Sequence, residues 1–362
     1  MPNDREQPPQ YTRYRAGRRL SPRRPEEDPL HPLSAERARE ARPRRRDGRV
    51  QVTPKRVILS LLALIAGWLI LSLVLFLISS HFQRTSPPAN VASALDPAGY
   101  PLTSANNILV LGSDRRQKNS KEPGAETTGP GRSDTIMLIR TGAGHAARLS
   151  IPRDTVVEIP GHGLQKINAA HAFGGPALSI AVIKNWLGIP INHLVEVNFE
   201  NFPALIDAMG GVNYSGGCVV SRLDGGFSNG GYTLRLSPGS HRLDGKQALA
   251  LARTRENLCA PNQTDIQREE HQQALFTDMK SQLLSPSSFL RLPLIAWNAP
   301  PAIISDMSGP TLLGLFGALA ISGTPPTHVL APSGSITLPD GEQGLTVSEA
   351  ERRAAVARFE HG

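Results

Sequence analysis

Residues 176–211 read P-A-L-S-I-A-V-I-K-N-W-L-G-I-P-I-N-H-L-V-E-V-N-F-E-N-F-P-A-L-I-D-A-M-G-G. Ile180, Ile183 and Leu187 recur at steps of three and four residues, which puts them on one face of a helix. His193–Phe199 then alternates apolar and polar residues, the two-residue period of a half-buried strand. Asn201–Met209 returns to a helical pattern and stops at Gly210-Gly211. Strands alternating with helices predict an α/β domain, layered α/β/α around a central mixed sheet.

The chain before this stretch supplies more strands. Asn107–Leu111 (N-I-L-V-L) reads as a short buried strand ended by Gly112, and Asp114 follows. A polar, Gly/Pro-rich loop over 117–131 leads through Arg132-Ser133-Asp134 into a second strand, Thr135–Arg140. A turn with Gly142 and Gly144 brings the chain back through Arg148–Ile151, and Pro152-Arg153-Asp154 ends the third strand. If the second pair is a hairpin, the end of strand one, the start of strand two and the end of strand three share one end of the sheet. Asp114, Asp134 and Arg153 then lie together. Carboxylates without a nearby His or Cys form a hard oxygen site suited to Mg²⁺ that takes its remaining ligands from water and phosphate. A single Asp often does no more than cap a turn; the shared location with arginines favours a site. Lys166–Gly175 reads as a short helix closed by glycines. It carries His171, a candidate general base whose competing role is structural.

Downstream, Lys246–Gln273 begins with a short apolar segment that delivers Arg253 and Arg255 at its end. A second helix opens with the capping pattern of Thr264, Asp265 and Gln267. Its apolar stripe, Leu275, Met279 and Leu283, extends backwards onto Gln272 and Arg268. A cation on a core-facing stripe is costly without an anionic partner, and planar guanidinium forks suit phosphate. Structural salt bridges are the competing explanation. Residues 285–362 keep the same alternation, with an apolar segment at Thr311–Ile321, a strand at Thr327–Pro332 and a charged helix at Ser348–Glu360. No Walker loop, G-x-S-x-G elbow or zinc spacing occurs, so hydrolysis through a triad is unsupported.

The net charge of +8 over 362 residues is unevenly placed. Residues 1–56 hold 16 Lys/Arg and 8 Asp/Glu, whereas the remainder holds 23 of each. The basic character belongs to a disordered tail, and no nucleic-acid partner is expected for the folded part. Val57–Ser80 lacks any charged residue and is long enough to span a bilayer of roughly 30 Å. Arginines and Lys55 precede it, so the tail (1–56) is predicted cytoplasmic, the helix (57–80) single-pass in the cell membrane, and everything beyond exported. Residues 81–104 read as a linker and 105–362 as the exported domain, with its core at 107–285. Cys218 and Cys259 both fall on the exported side, where disulfides persist, and are expected to be bridged.

These residues resemble the LytR-CpsA-Psr (LCP) family of bacterial envelope proteins. The resemblance rests on N-I-L-V-L-G-S-D (107–114), R-S-D-T-I-M (132–137), S-I-P-R-D-T (150–155), K-I-N-A-A (166–170), L-D-G-K-Q-A-L-A-L-A-R-T-R (243–255) and 265–273. It covers 107–285 strongly and the rest weakly, and departs at His271, where many relatives carry Arg. It implies an Mg²⁺-dependent phosphotransferase that moves a glycopolymer from a polyprenyl-pyrophosphate carrier to peptidoglycan. Asp114 and Asp134 would hold the metal, with Arg132 beside them. Arg153, Arg253, Arg255 and Arg268 would grip the pyrophosphate and Gln272 would add a polar contact; Asp114, Asp134, Arg153 and Arg255 are the catalytic set. Asp154 or Asp265 is the candidate general base. The alternative is a membrane-anchored carrier-binding regulator or scaffold without catalysis. Teichoic acid, arabinogalactan and capsule all remain open as the polymer.

Overall fold

The computed structural model describes residues 53–113, 131, 133–223, 232–252, 254, 257–259, 275, 277–322, 327–339 and 341–361, with Ser113, Asp134, Arg222, Leu223 and Tyr232 described by backbone alone. The cytoplasmic tail predicted over 1–56 lies almost wholly outside them.

The centre is a six-stranded mixed sheet. Its strands are β1 (Asn106–Ser113), β2 (Ser133–Gly142), β3 (His145–Ser150), β6 (His193–Val197), β11 (Ile303–Ser305) and β12 (Thr327–Val329), in the order β11-β6-β1-β2-β3-β12. β1, β2 and β3 pair antiparallel as a meander, while β6 runs parallel to β1 and β12 parallel to β3. The predicted hairpin between strands two and three is therefore present. Residues along β1 alternate between two cores, as the pleat requires. Leu109 and Leu111 face one cluster with Ile180, Ile183 and Leu187. Ile108 and Val110 face the opposite one with Phe76, Leu312 and Leu315.

Helices cover both faces. α1 (Pro54–Phe82), α2 (Ala169–Leu187), α3 (Phe202–Ala208), α4 (Gly245–Ala252), α5 (Pro286–Leu290), α6 (Leu292–Asn298), α7 (Gly309–Ile321) and α8 (Glu349–His361) are the labelled helices. α2 and α8 pack on one side of the sheet, and α7 with the second half of α1 on the other. α2 is two helices joined at Gly174 and Gly175, as the glycine pair suggested. Gly175 has φ +66° with ψ −163°, a conformation that only glycine adopts readily, and Pro176 starts the second segment.

The strands β7 (Val212–Gly216), β8 (Val219–Leu223), β9 (Tyr232–Leu236) and β10 (Gly239–Leu243) form two ribbons, β10-β7 and β8-β9. They share a second core with α3 and α4, in which Tyr214, Leu249 and Leu275 are buried. The sequence offered no reading of this region. The 264–283 stripe holds at Leu275 and Met279, which join that core, and fails at Leu283, which is 40% exposed. Cys218 and Cys259 are disulfide-bonded, with Cα atoms 5.9 Å apart and 41 residues of sequence separation. Closing a loop of that length contributes roughly 3–4 kcal/mol in the chain-entropy picture.

α1 is the helix among the described residues that is long and apolar enough to cross a membrane. Of residues 81–104, read as a linker from composition, His81 and Phe82 end α1 and the rest are docked along the domain. Thr85 bridges Ile304 at the sheet edge, and Val91 is fully buried. Asp96 closes this attachment: it accepts from Lys184 Nζ at 2.6 Å and from the Ile191 N–H at 2.9 Å. Burial raises its pKa, but the Lys184 hydrogen bond and the Ile191 N–H outweigh burial and hold the carboxyl below its ordinary 3.8. A depressed carboxyl stabilises the fold fully above the unfolded value and loses that contribution as pH falls through the folded one. Asp96→Ala is expected to cost about 1.5–3 kcal/mol at neutral pH. In urea titrations at several pH values, the gap to wild type should close as pH drops below 3.8.

Candidate functional site

The end of the sheet that receives the C-termini of β1, β3 and β6 and the start of β2 carries the chemistry-bearing residues. β1 and β2 pair in steady register from Asn106↔Thr141 to Gly112↔Thr135, and then Ser113 pairs with Ser133. Asp134 is thus the extra residue of a β-bulge at the mouth of the sheet, a device frequent beside active sites. Gly112 is required there, since a Cβ would come within 2.9 Å of the Thr135 Cβ. Asp114 directly follows Ser113 in the chain. The register therefore brings the backbone of one candidate metal ligand, Asp134, to the strand end that the other follows in sequence.

Arg153 is the one predicted arginine whose surroundings are described. Its backbone is held on two sides: Asn168 N–H donates to the Arg153 carbonyl (3.3 Å) and Leu345 N–H to the Asp154 carbonyl (2.8 Å). Upstream, Ile151 N–H donates to Ile136 O at 2.9 Å, which fixes Pro152-Arg153 beside β2. The guanidinium Nε lies 3.5 Å from Asp154 Oδ2, and the side chain keeps 20% exposure. Asp154 Oδ1 lies 3.3 Å from Lys166 Nζ, which also reaches Glu342 at 2.9 Å. Burial works against the Lys166 ammonium, but its hydrogen bond to Glu342 and the Asp154 charge prevail, and it titrates above its ordinary value. Lys166 sits on the hairpin of β4 (Val156–Ile159) and β5 (Gly163–Lys166), and Glu342 precedes the hairpin strand β14 (Gln343–Thr346), whose partner is β13 (Gly334–Thr337).

His171 is not at the surface. It is 1% exposed, its Nδ1 lies 2.8 Å from Gly131 O and its Nε2 lies 3.3 Å from Glu196 Oε1. A carbonyl only accepts, so Nδ1 carries the hydrogen and donates to Gly131. Glu196, itself 5% exposed, stands on β6 in register with Leu111, close beneath the end of β1. The pair fixes the backbone just ahead of Arg132 and Asp134. His171 is thereby a positioning residue, and the general-base reading loses its footing. Glu196 was not singled out in the sequence: the alternation of His193–Phe199 puts it with Asn198 on the polar side, so nothing local marked it as buried.

On the second core, α4 is locked at both ends. Asp244 and Gln247 cap one another through reciprocal backbone contacts of 2.8 and 3.0 Å. Thr254, between the two arginine positions, is buried and donates to Ala250 O at 2.8 Å. Asn257 accepts from Val220 N–H and Cys259 N–H and donates to Cys218 O, which holds the disulfide loop. Asp114, Arg132, Arg253, Arg255, Asp265, Arg268 and Gln272 lie outside the described residues, and Asp134 is described by backbone alone. Among the described residues, then, the sheet mouth joins the backbone of Asp134 with Arg153 and Asp154.

Similar proteins place this arrangement in context. The probable cell wall biosynthesis protein LcpB of Corynebacterium glutamicum is 32% identical over 63% of this chain and 54% of its own. A polyisoprenyl-teichoic acid–peptidoglycan teichoic acid transferase, TagU, of Bacillus anthracis is 39% identical over 41% of this chain and 44% of its own. The chain thus spans about half the length of these relatives. The LytR-CPS2A-psr family protein YwtF (TagT), solved with bound octaprenyl pyrophosphate lipid, shares the fold at a TM-score of 0.51 and 23% identity, over 76% of this chain and 98% of its own. The LytR_cpsA_psr family pattern matches residues 83–344, and it takes in the whole sheet, the β-bulge at Asp134 and the clamped Arg153. The chain belongs to the LytR_cpsA_psr family.

Proposed function

We propose that this protein is a membrane-anchored transferase that joins a glycopolymer to peptidoglycan through a phosphodiester, using a polyprenyl-pyrophosphate carrier as donor. The observation that carries the proposal is the sheet mouth, where the Asp134 bulge stands beside the strand end leading to Asp114 and the clamped Arg153. The names of TagU, a polyisoprenyl-teichoic acid transferase, and of YwtF with its octaprenyl pyrophosphate support the donor class.

In this reading a peptidoglycan hydroxyl attacks the phosphorus that bears the sugar. The new P–O bond forms as the bridging P–O bond of the pyrophosphate breaks, and polyprenyl phosphate leaves. The hydroxyl proton passes to a carboxylate, Asp154 or Asp265. Asp114 and Asp134 would hold Mg²⁺, which neutralises charge on the phosphate oxygens when bound. Arg153, Arg253, Arg255 and Arg268, with Arg132 and Gln272, supply the other contacts to the donor, since phosphoryl transfer asks a protein chiefly for positioning and charge.

The test is the full chain in detergent with a pyrophosphoryl-lipid donor, Mg²⁺ and a peptidoglycan-fragment acceptor. Acceptor-dependent release of polyprenyl phosphate, with a phosphodiester product by mass spectrometry, is expected. Tight donor binding with no product under any acceptor would leave a carrier-binding regulator in its place. The proposed topology has the tail in the cytoplasm and the domain outside. Protease added to spheroplasts should then remove the domain and spare an N-terminal tag; removal of the tag instead would reverse the orientation.

A further inference from the structure

The underside of the domain carries an apolar surface that the transfer chemistry does not use. It is built by the end of the 277–283 helical stretch and by α5 and α6. Leu283, Leu284, Phe289, Leu290, Leu294 and Trp297 are all exposed, Leu290 to 72%. From Ser281 to Asn298 the sequence holds one ionisable side chain, Arg291, which is exposed and runs past Gly210 toward the edge of the surface. Exposed apolar side chains gathered on consecutive elements of a folded domain mark an interface.

The neighbouring helix identifies what covers it. Trp68 Nε1, on α1, donates to the Phe289 carbonyl at 2.9 Å, and Ser79 Oγ donates to the Trp297 carbonyl at 2.6 Å. α5 and α6 therefore lie beside α1 from the level of Trp68 to that of Ser79. Those residues are eleven apart, or roughly 16 Å along a helix axis. The uncharged run Val57–Ser80 fills a hydrocarbon core of about 30 Å, so Trp68 stands near the middle of it. A segment hydrogen-bonded to Trp68 shares that depth. The lipid-facing side of α1 at this level, with Leu69, Ile70 and Leu73, is likewise exposed and apolar.

Several polar groups of the segment find partners within the protein, as burial in a bilayer requires. Ser285 Oγ accepts from Ser288 N–H at the start of α5, and Ser288 Oγ donates to Gln282 O at 2.6 Å. Buried Gln282 donates to Met209 O at 3.2 Å. The Phe289 carbonyl, in the last turn of α5, takes the indole N–H.

We infer that Leu283–Asn298 is a monotopic insertion that buries its apolar side in the outer leaflet alongside α1, seating the domain in the membrane instead of tethering it above. The inference rests on reading α1 as a membrane span. Lipid acyl chains are the occupant, because the surface continues the lipid-facing side of that helix.

The experiment uses the full chain, with the Cys218–Cys259 bond intact, in phosphatidylcholine–phosphatidylglycerol liposomes. Single variants Leu290→Cys, Leu64→Cys and Leu164→Cys are spin-labelled, and accessibility to oxygen is compared with that to a water-soluble nickel complex. Leu64 reports on α1 and Leu164 on the exposed β4–β5 hairpin. The label at 290 should match the one at 64, with near-complete loss of nickel accessibility and raised oxygen accessibility, while 164 stays open to nickel. A 290 label as open as 164, with 64 shielded, overturns the insertion and leaves the span intact. A 64 label open to nickel overturns the span reading and the insertion with it. Spin–spin broadening at 290 that vanishes on dilution with unlabelled protein would assign the surface to a second copy. Shielding that requires added polyprenyl pyrophosphate would assign it to the carrier. Either result overturns the inference.

Discussion

Glu196→Ala should destabilise the domain by about 3–5 kcal/mol, the range found when one partner of a buried pair is removed. For a domain of this size that corresponds to a fall in Tm of roughly 6–20 °C. Glu196 is held within the sheet by β1 on one side and β11 on the other, in register with Leu111 and Ile304. Its carboxylate faces His171 Nε2 at 3.3 Å in a region that water does not reach. Truncation leaves a cavity among packed strands and a ring nitrogen without its carboxylate. Glu196→Gln separates the two effects. Its amide N–H can donate to Nε2 while Nδ1–H still serves Gly131 O, so the loss should be under half that of alanine. Equal losses for Ala and Gln would mean that the negative charge of Glu196 holds the pair and that a donated N–H cannot replace it. Thermal unfolding of both variants followed by circular dichroism decides the matter.

The same pair shows where sequence reading reached and where it stopped. The alternation in His193–Phe199 placed a strand correctly, and the period of two put Glu196 on a side of it. Nothing local revealed that His171, twenty-five residues earlier on a helix, would reach Glu196 across the sheet. The three-strand meander was legible because its turns carry Gly142 and Gly144 and its strands are continuous apolar runs. That pattern alone places the start of β2 and the end of β3 together. The bulge at Asp134 was not legible, because a single extra residue is set by the partner strand and by the close approach of Gly112 to Thr135. The docking of residues 83–104 was missed for a related reason. Composition marks Ser, Pro and Ala as linker-like, but one buried Val91 and the Asp96 contacts suffice to attach the segment. Leu283 is the informative failure: it continues a helical stripe on paper, but at its position the second core has ended.

Asp134→Ala should remove metal-dependent transfer entirely while leaving the fold at wild-type stability. The residue is the bulge position, unpaired in the β1–β2 register, and the ladder is held by the backbone groups on either side of it. In the proposed reading it shares Mg²⁺ with Asp114, and one remaining carboxylate cannot keep a cation that already prefers most of its water. Arg153→Lys probes the donor side of the same mouth. Lysine retains the positive charge, and the clamps on residues 153 and 154 act through backbone groups, so the local structure should survive. What is lost is the planar fork and one charge-assisted hydrogen bond to phosphate, worth about 1.5–3 kcal/mol, or roughly a 10- to 150-fold fall in kcat/KM. The two variants differ in their response to metal. Raising Mg²⁺ should leave Arg153→Lys at the same fraction of wild type, since its defect is in gripping the donor. Asp134→Ala should stay silent at any Mg²⁺ concentration. An Asp134→Ala variant that transfers normally and still needs Mg²⁺ would reduce this aspartate to a turn residue and move the metal elsewhere. An Arg153→Lys variant at full activity would leave the arginine as a strut between β3 and Asp154, with no part in the chemistry.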